Sequence, residues 1–222
     1  MILSQINGIT VRVMEESDYG IVKPFMKDYF HYDEPMGMDL EEEIHLLNEA
    51  EVDREYLSVI NQGLSIVAFD KNNRNLLVGI AVAEEMDPYI MAKQHKEAEE
   101  MEPNALGRSR KMIAKVERDA RIFERCGVSK YLSLLVISVH ASMRGNGLLT
   151  HLSVCLFELG RSRGFPLFIG SSTSYYSART AMNGGLECIH SQAYADYKDD
   201  QGRPIYNPPA PHTHIRVLAA KL

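Results

Sequence analysis

Val136-Ile137-Ser138-Val139-His140-Ala141-Ser142-Met143-Arg144-Gly145-Asn146-Gly147-Leu148 is the stretch on which the reading of the chain turns. Upstream, Tyr131 to Val139 is β-branched and apolar and predicts a buried strand. Downstream, Leu148, Leu152, Cys155 and Leu159 recur at i, i+4, i+7 and i+11, and predict a helix over Gly145–Arg163 with one apolar face. Between them stands R-G-x-G. Glycines let backbone N–H groups approach an anion with no side chain in the way. A helix N-terminus adds about half a positive charge and Arg144 a whole one. The segment is a candidate diphosphate cradle. A Walker loop would need Lys after Gly147, and a Rossmann loop would need Gly or Ala where Thr150 stands. Two readings survive: the diphosphate loop of a coenzyme A acyltransferase, or a plain tight strand-to-helix turn.

Working outward, Ile9–Val13 alternates as a strand, and Ser17-Asp18 can cap a helix over Tyr19–Phe30, with Pro24 in its first turns. His31 to Pro35 must leave that helix before the proline. A second helix is expected over Leu40–Glu51. Leu64–Phe69 and Leu76–Glu84 read as strands joined by the loop Lys71–Asn75. Residues 86–127 are charged and Met-rich. They predict a helical insertion without a core of its own, with a loop at Asn104–Gly107 and apolar spacing from Lys111 to Phe123. After the central helix come a strand at Pro166–Gly170, a helix at Tyr175–Asn183 stopped by Gly184-Gly185, and strands at Glu187–Tyr197 and His214–Ala220 around a turn at Lys198–Arg203. The pattern is α/β without strict alternation, which predicts a mixed sheet with helices on both faces in one domain, residues 1–222.

Composition narrows the function. The 222 residues carry 24 Lys and Arg against 30 Asp and Glu, a net charge of −6, which disfavours nucleic acid and a polybasic membrane anchor. The longest apolar run, Leu76–Ala83, is too short for a bilayer of about 30 Å. Three scattered cysteines (Cys126, Cys155, Cys188), without C-x-x-C, suit a reducing compartment. The N-terminus lacks the features of a signal peptide. Together these predict a cytoplasmic protein. His212 and His214 are two apart with no third ligand in sight, so no metal is expected.

The loop Ser142-Met143-Arg144-Gly145-Asn146-Gly147 resembles the [QR]-x-x-G-x-[GA] loop of the GNAT superfamily of acetyl-CoA-dependent N-acetyltransferases, with Ser142 departing at the first position. Three further matches, in order, narrow the likeness to the insect arylalkylamine N-acetyltransferases. They are Asp33-Glu34-Pro35 after the first helix, Ser174-Tyr175-Tyr176-Ser177-Ala178-Arg179 against S-x-Y-S-A-R, and Ala195-Asp196-Tyr197-Lys198 with Pro208–His212 near the end. The resemblance spans residue 9 to the C-terminus and implies a mixed, mostly antiparallel sheet with a splayed central strand. It implies acetyl-CoA as co-substrate, held by Arg144, Gly145, Asn146, Gly147, Leu148 and Tyr176, and a small amine as partner. The same likeness assigns the bulged strand Ile137-Ser138-Val139 to the acetyl oxygen.

The chemistry sets demands. An alkylamine with a pKa of about 10.4 is protonated at pH 7, and freeing its lone pair costs roughly 4–5 kcal/mol. A base is needed, and Glu34, beside Pro35 at the helix exit, is the candidate, with the family glutamate in the same role by resemblance. Backbone N–H donors aimed at the developing oxyanion would contribute a few kcal/mol. Many GNAT enzymes place a proton-donating tyrosine four residues before a G-F pair; counting back from Gly185-Leu186 gives Ala181 instead. By resemblance Ser177 and Thr173 keep hydroxyls in that region, where capping the helix is an equally good use for them. The expected acceptor is an arylalkylamine of the dopamine, serotonin, tyramine and octopamine class. The alternatives are a polyamine, another small amine, a protein lysine, or acyl-CoA binding without turnover.

Overall fold

The computed structural model describes residues 1–37 and 49–222. The helix expected over Leu40–Glu51 falls mostly outside them. The described elements are β1 (Ile2–Ile6), β2 (Ile9–Val13), α1 (Tyr19–Tyr29), α2 (Glu49–Ile60), β3 (Ile66–Asp70), β4 (Leu76–Met86), α3 (Pro88–Glu100), α4 (Ala105–Ala120), α5 (Ile122–Cys126), β5 (Tyr131–Val139), α6 (Leu148–Ser162), β6 (Leu167–Ser172), α7 (Tyr175–Asn183), β7 (Glu187–Ala193) and β8 (His214–Lys221). The strands form one sheet in the order β1-β2-β3-β4-β5-β6-β8-β7. Every neighbouring pair is antiparallel except β5 with β6.

Helix α6 covers one face. Leu148, Leu152, Cys155 and Leu159, the stripe read from the sequence, are all buried there against Val78, Ala81, Ala83 and Leu132. Each fully buried side chain of this kind is worth about 1.5–3 kcal/mol. The helix lies close: a Cβ on Gly79 of β4 would meet Leu152 Cδ1 at 2.9 Å. On the other face α1 packs Val22, Phe25 and Met26 over Ile80, Val82 and Val136. Beside it, the insertion sets Met112, Val116, Ala120 and Ile122 against Ile169, Ile215 and Val217. The insertion thus borrows its core from the sheet, as its composition requires.

Several expectations need correcting. Asp18 does not cap α1 through its side chain; it takes both guanidinium nitrogens of Arg12 at 2.6 and 2.7 Å and the Glu15 N–H at 2.8 Å. Asn104–Gly107 is not a loop, because the Asn104 side chain accepts the Gly107 N–H at 3.0 Å and starts α4 there. The stripe running to Phe123 breaks where Arg121 turns left-handed at φ 50°. The central helix starts at Leu148, after a short turn of 3-10 helix at Ala141–Met143. Strand β7 ends at Ala193, before a 3-10 turn at Tyr194–Asp196. β1 went unforeseen because Ile2–Ile6 is half exposed at the sheet's edge and carries little apolar pattern.

The central strands splay. β5 and β6 share only the register pairs Leu132–Phe168, Ser133–Ile169 and Leu134–Gly170, and then part. On its other side β5 slips register against β4, with Val82 opposite Val136 and Ala83 opposite Leu134. Leu135 is therefore an extra residue, 38% exposed. A one-residue bulge flips the faces of everything after it. Leu132 and Leu134 face α6 before it; Ile137 and Val139 do so after it.

Candidate active site

The splay leaves main-chain groups for chemistry. His140 N–H donates to the Val78 carbonyl at 2.9 Å, so the residues that alternate with it, Ser138 and Val136, also turn their amides to β4. The amides of Ile137 and Val139 then face the gap. The Ser138 side chain is occupied, its hydroxyl donating to the Tyr29 carbonyl at the end of α1. With the Tyr29 ring 4.6 Å from that of His140, this contact ties the exit of α1 to the end of β5.

That tie carries Glu34 to the gap. After α1, a 3-10 turn at His31–Asp33 and a turn from Glu34 to Gly37, closed by Gly37 N–H to the Glu34 carbonyl at 2.8 Å with Pro35 second, fold the segment back. Glu34 Oε1 accepts the Met36 N–H at 3.2 Å and Oε2 accepts the Thr173 hydroxyl at 2.9 Å. Burial dominates all the same and pushes the carboxyl up from 4.5 to about 7, against those two hydrogen bonds. A group with that pKa is poised to take and release a proton near neutrality.

The two hydroxyl candidates part company. Thr173 follows Ile169 and Ser171 on the face of β6 toward α1 and α4, and meets Glu34. Ser177, on α7, pairs with Ser172 Oγ at 2.6 Å and donates to the Ser174 carbonyl at 3.1 Å, on the opposite face. Period-two alternation along β6 separates them.

The candidate cradle is a glycine turn that leads into α6. Gly145 and Gly147 sit at φ +76° and +77°, and a Cβ on either would meet nothing within 4 Å. The first amides of α6 have no acceptor within the helix. Leu148 is buried in the core, so it can offer only its N–H. Ser142 is held by His140, Oγ to Nδ1 at 2.8 Å. Tyr176 is 61% exposed, with Tyr175 and His212 against its ring. Arg144 is paired with Asp33, nitrogen to oxygen at 2.5 Å, next in sequence to Glu34. A diphosphate reaching Arg144 competes with that carboxylate. Both partners are about half exposed, so the pair is worth at most about 1 kcal/mol. Asp33→Asn is expected to tighten coenzyme A binding two- to fivefold at low salt, and titration calorimetry would read it.

Two buried tyrosines were not singled out in the sequence: Tyr194 falls in the 3-10 turn after β7, inside the stretch read as strand, and Tyr206 in an irregular, proline-rich segment. Tyr194 donates to the Thr173 carbonyl at 2.8 Å. Tyr206 packs on Tyr194 with ring centroids 6.1 Å apart, and its buried hydroxyl has no partner. Burial first, and then the Glu34 charge among others, raise the pKa of each phenol. His212 closes this wall: its Nδ1 accepts the Tyr175 N–H at 3.2 Å and helps cap α7.

No family model matches the sequence. Solved structures do. A mosquito arylalkylamine N-acetyltransferase (like 5b) superposes with a TM-score of 0.84 at 26% identity, over 96% of this chain and all of that one. An agmatine N-acetyltransferase gives 0.85 at 22% identity, over 97% and 100%. A polyamine N-acetyltransferase of Drosophila melanogaster gives 0.83 at 23%, over 96% and 100%. The chain has the GNAT acetyltransferase fold. The splay of β5 from β6, the bulge at Leu135 and the left-handed glycines before α6 are this chain's own version of that fold. Among the described residues, no helix is long and apolar enough to cross a membrane.

Proposed function

We propose that this GNAT protein moves acetyl from acetyl-CoA to the primary amine of a small alkylamine by direct attack. The observation that carries the proposal is Glu34, a carboxylate tied by Thr173 to the mouth of the β5–β6 gap and raised to about 7. The diphosphate rests on the amides around Gly145 and Gly147 and on Arg144. The thioester runs into the gap, where the amides of Ile137 and Val139 receive the carbonyl oxygen. Glu34 takes a proton from the ammonium, directly or through water. The freed lone pair forms the new C–N bond, the C–S bond breaks, the electron pair leaves with the thiolate, and the proton shed by the acylated nitrogen passes to that thiolate, directly or through water. A thiol pKa near 8.5 makes that departure tolerable without a strong acid. No cysteine takes part.

For the acceptor, the buried wall of Met36, Tyr194 and Tyr206 suits the arylalkylamine class expected from the sequence. A second class, di- and polyamines, is favoured by the likeness to an agmatine and a polyamine N-acetyltransferase. A cytoplasmic location fits a protein that draws on acetyl-CoA. Initial rates with acetyl-CoA and a panel of aryl, alkyl and polyamine acceptors test the proposal. Double-reciprocal lines are expected to intersect; parallel lines would mean an acyl-enzyme, and binding of coenzyme A without turnover of any amine would mean a non-catalytic binding protein.

A further inference from the structure

Thr173, the residue that holds Glu34, lies just past the regular structure on either side. The ladder between β6 and β8 ends at the pair Ser172–Arg216. Helix α7 begins only after Ser174, whose hydroxyl accepts the Tyr176 N–H at 3.2 Å. Thr173 stands between the two, half-buried, with its hydroxyl on Glu34 Oε2 at 2.9 Å. Its carbonyl is taken by the phenol of Tyr194 at 2.8 Å.

Tyr194 is itself firmly placed. It opens the 3-10 turn after β7, and its N–H donates to the Thr213 carbonyl at 3.0 Å, just before β8. Its ring is buried edge-on against Tyr206, which stacks in turn on Tyr197 with the planes 14° apart. A phenol so packed is a fixed donor. A hydrogen bond to the Thr173 carbonyl sets the peptide plane there, and with it the direction of the Thr173 Cβ. A β-branched side chain has few χ1 choices, so the hydroxyl follows the main chain. Tyr206 offers a contrast within the same ring cluster, because its buried hydroxyl has no partner.

We propose that Tyr194 is a positioning residue for the base: its hydroxyl clamps the main chain at Thr173, and the Thr173 hydroxyl thereby holds Glu34 at the mouth of the β5–β6 gap. This rests on the assignment of Glu34 as the base. A hydroxyl donating to a carboxylate favours its ionised form, and the Thr173 bond opposes the burial that raises Glu34. Loosening the clamp weakens that bond and lets burial raise the carboxyl further. The titratable and charged groups on this side are the phenols of Tyr194 and Tyr206, both raised by burial and within reach of the Glu34 charge. Arg216 of β8 acts on the first phenol and Arg108 of α4 on the second. The Arg144–Asp33 pair adjoins Glu34 along the chain. Removing the neutral Tyr194 hydroxyl changes none of these charges.

The test follows the Glu34 carboxyl by NMR in the whole protein, isotope-labelled at the glutamate carboxyl carbons, with its signal identified by its loss in Glu34→Gln. The wild-type midpoint is expected at about 7. Tyr194→Phe keeps the ring and its packing on Tyr206, and is expected to raise the midpoint by about half a pH unit to one unit. Thr173→Val, of the same shape without the hydroxyl, should raise it by at least as much. Adding Tyr194→Phe to Thr173→Val should then move it by no more than about 0.2 unit, since both act through one bond. Tyr206→Phe should leave it in place. With acetyl-CoA and tyramine, Tyr194→Phe should lower kcat/KM roughly two- to fivefold at pH 7 and regain the wild-type rate by about pH 9, with KM for acetyl-CoA unchanged. An unmoved midpoint in Tyr194→Phe, an equal shift in Tyr206→Phe, or additive shifts in the double variant overturn the clamp. Midpoints that move as expected, beside rates that keep the wild-type pH profile, retain the clamp and remove Glu34 as the base.

Discussion

Glu34→Gln is expected to lower kcat/KM at pH 7.5 by about 10²–10⁴-fold, the range for loss of a positioned general base. The pH profile distinguishes this from loss of structure. In wild type, activity should climb through a pKa of about 7, since the base must be ionised and burial has raised it to that value. In the variant that limb should vanish, leaving a rate that follows the free neutral amine toward higher pH. Stability should move the other way. The folded carboxyl, at about 7 against an ordinary 4.5, holds its proton more tightly than the unfolded chain does. Between those values the native state binds more protons, so its contribution to stability is present below 4.5 and is lost as pH rises through 7. The difference amounts to at most about 3 kcal/mol. Gln keeps one oxygen for the Met36 N–H, and its amide N–H can donate to the Thr173 hydroxyl oxygen, without the charge. The variant should therefore melt several degrees above wild type at pH 8 and level with it at pH 4. Full activity in Glu34→Gln, with an unshifted profile, would remove Glu34 from the reaction.

Gly147→Val is expected to raise Kd for coenzyme A and KM for acetyl-CoA about a hundredfold. Gly147 precedes α6 at φ 77°, ψ 4°, a conformation that a β-branched residue adopts only under strain. Its Cβ would meet no protein atom within 4 Å, so the new side chain would project into open space beside the first amides of the helix. Part of any effect is strain, and a matched control measures it. Gly127 has φ 66° and also meets nothing within 4 Å, but it closes α5 and precedes β5. Gly127→Val should lower stability by a similar 1–3 kcal/mol without touching coenzyme A affinity. If calorimetry found the two variants alike in coenzyme A binding, the cradle would not be where the diphosphate sits.

The legible parts of this molecule are those written in local periodicity. The stripe Leu148, Leu152, Cys155 and Leu159 is buried as its spacing requires. The two glycines after Arg144 both take left-handed conformations, which other residues adopt only under strain. Met112, Val116 and Ala120 of α4 are buried with Ile169, Ile215 and Val217 of the sheet. Misreadings came where local signals competed. Asp18 could cap a helix or pair with an arginine, and the bidentate geometry of Arg12, six residues earlier, prevailed. Asn104 to Gly107 looks like loop chemistry, yet Asn is also among the best N-caps.

The candidate site divides along similar lines. Glu34 was reached through a family likeness joined to the need for a base; no spacing rule would single it out. Thr173 and Ser177 are indistinguishable as hydroxyls in sequence. Alternation along β6 sends one to Glu34 and the other to Ser172.

By itself the sequence determined most of the elements, the faces they bury and the glycine turn before α6, because each depends on neighbours within a few residues. Only the tertiary structure decided the bulge at Leu135, the three-pair splay of β5 from β6 and the raised pKa of Glu34. An apolar strand reads the same with or without an extra residue, so no local pattern reports a slip in register. A carboxyl group's proton affinity depends on how much water and charge surround it, and those are set by groups more than a hundred residues away in the chain.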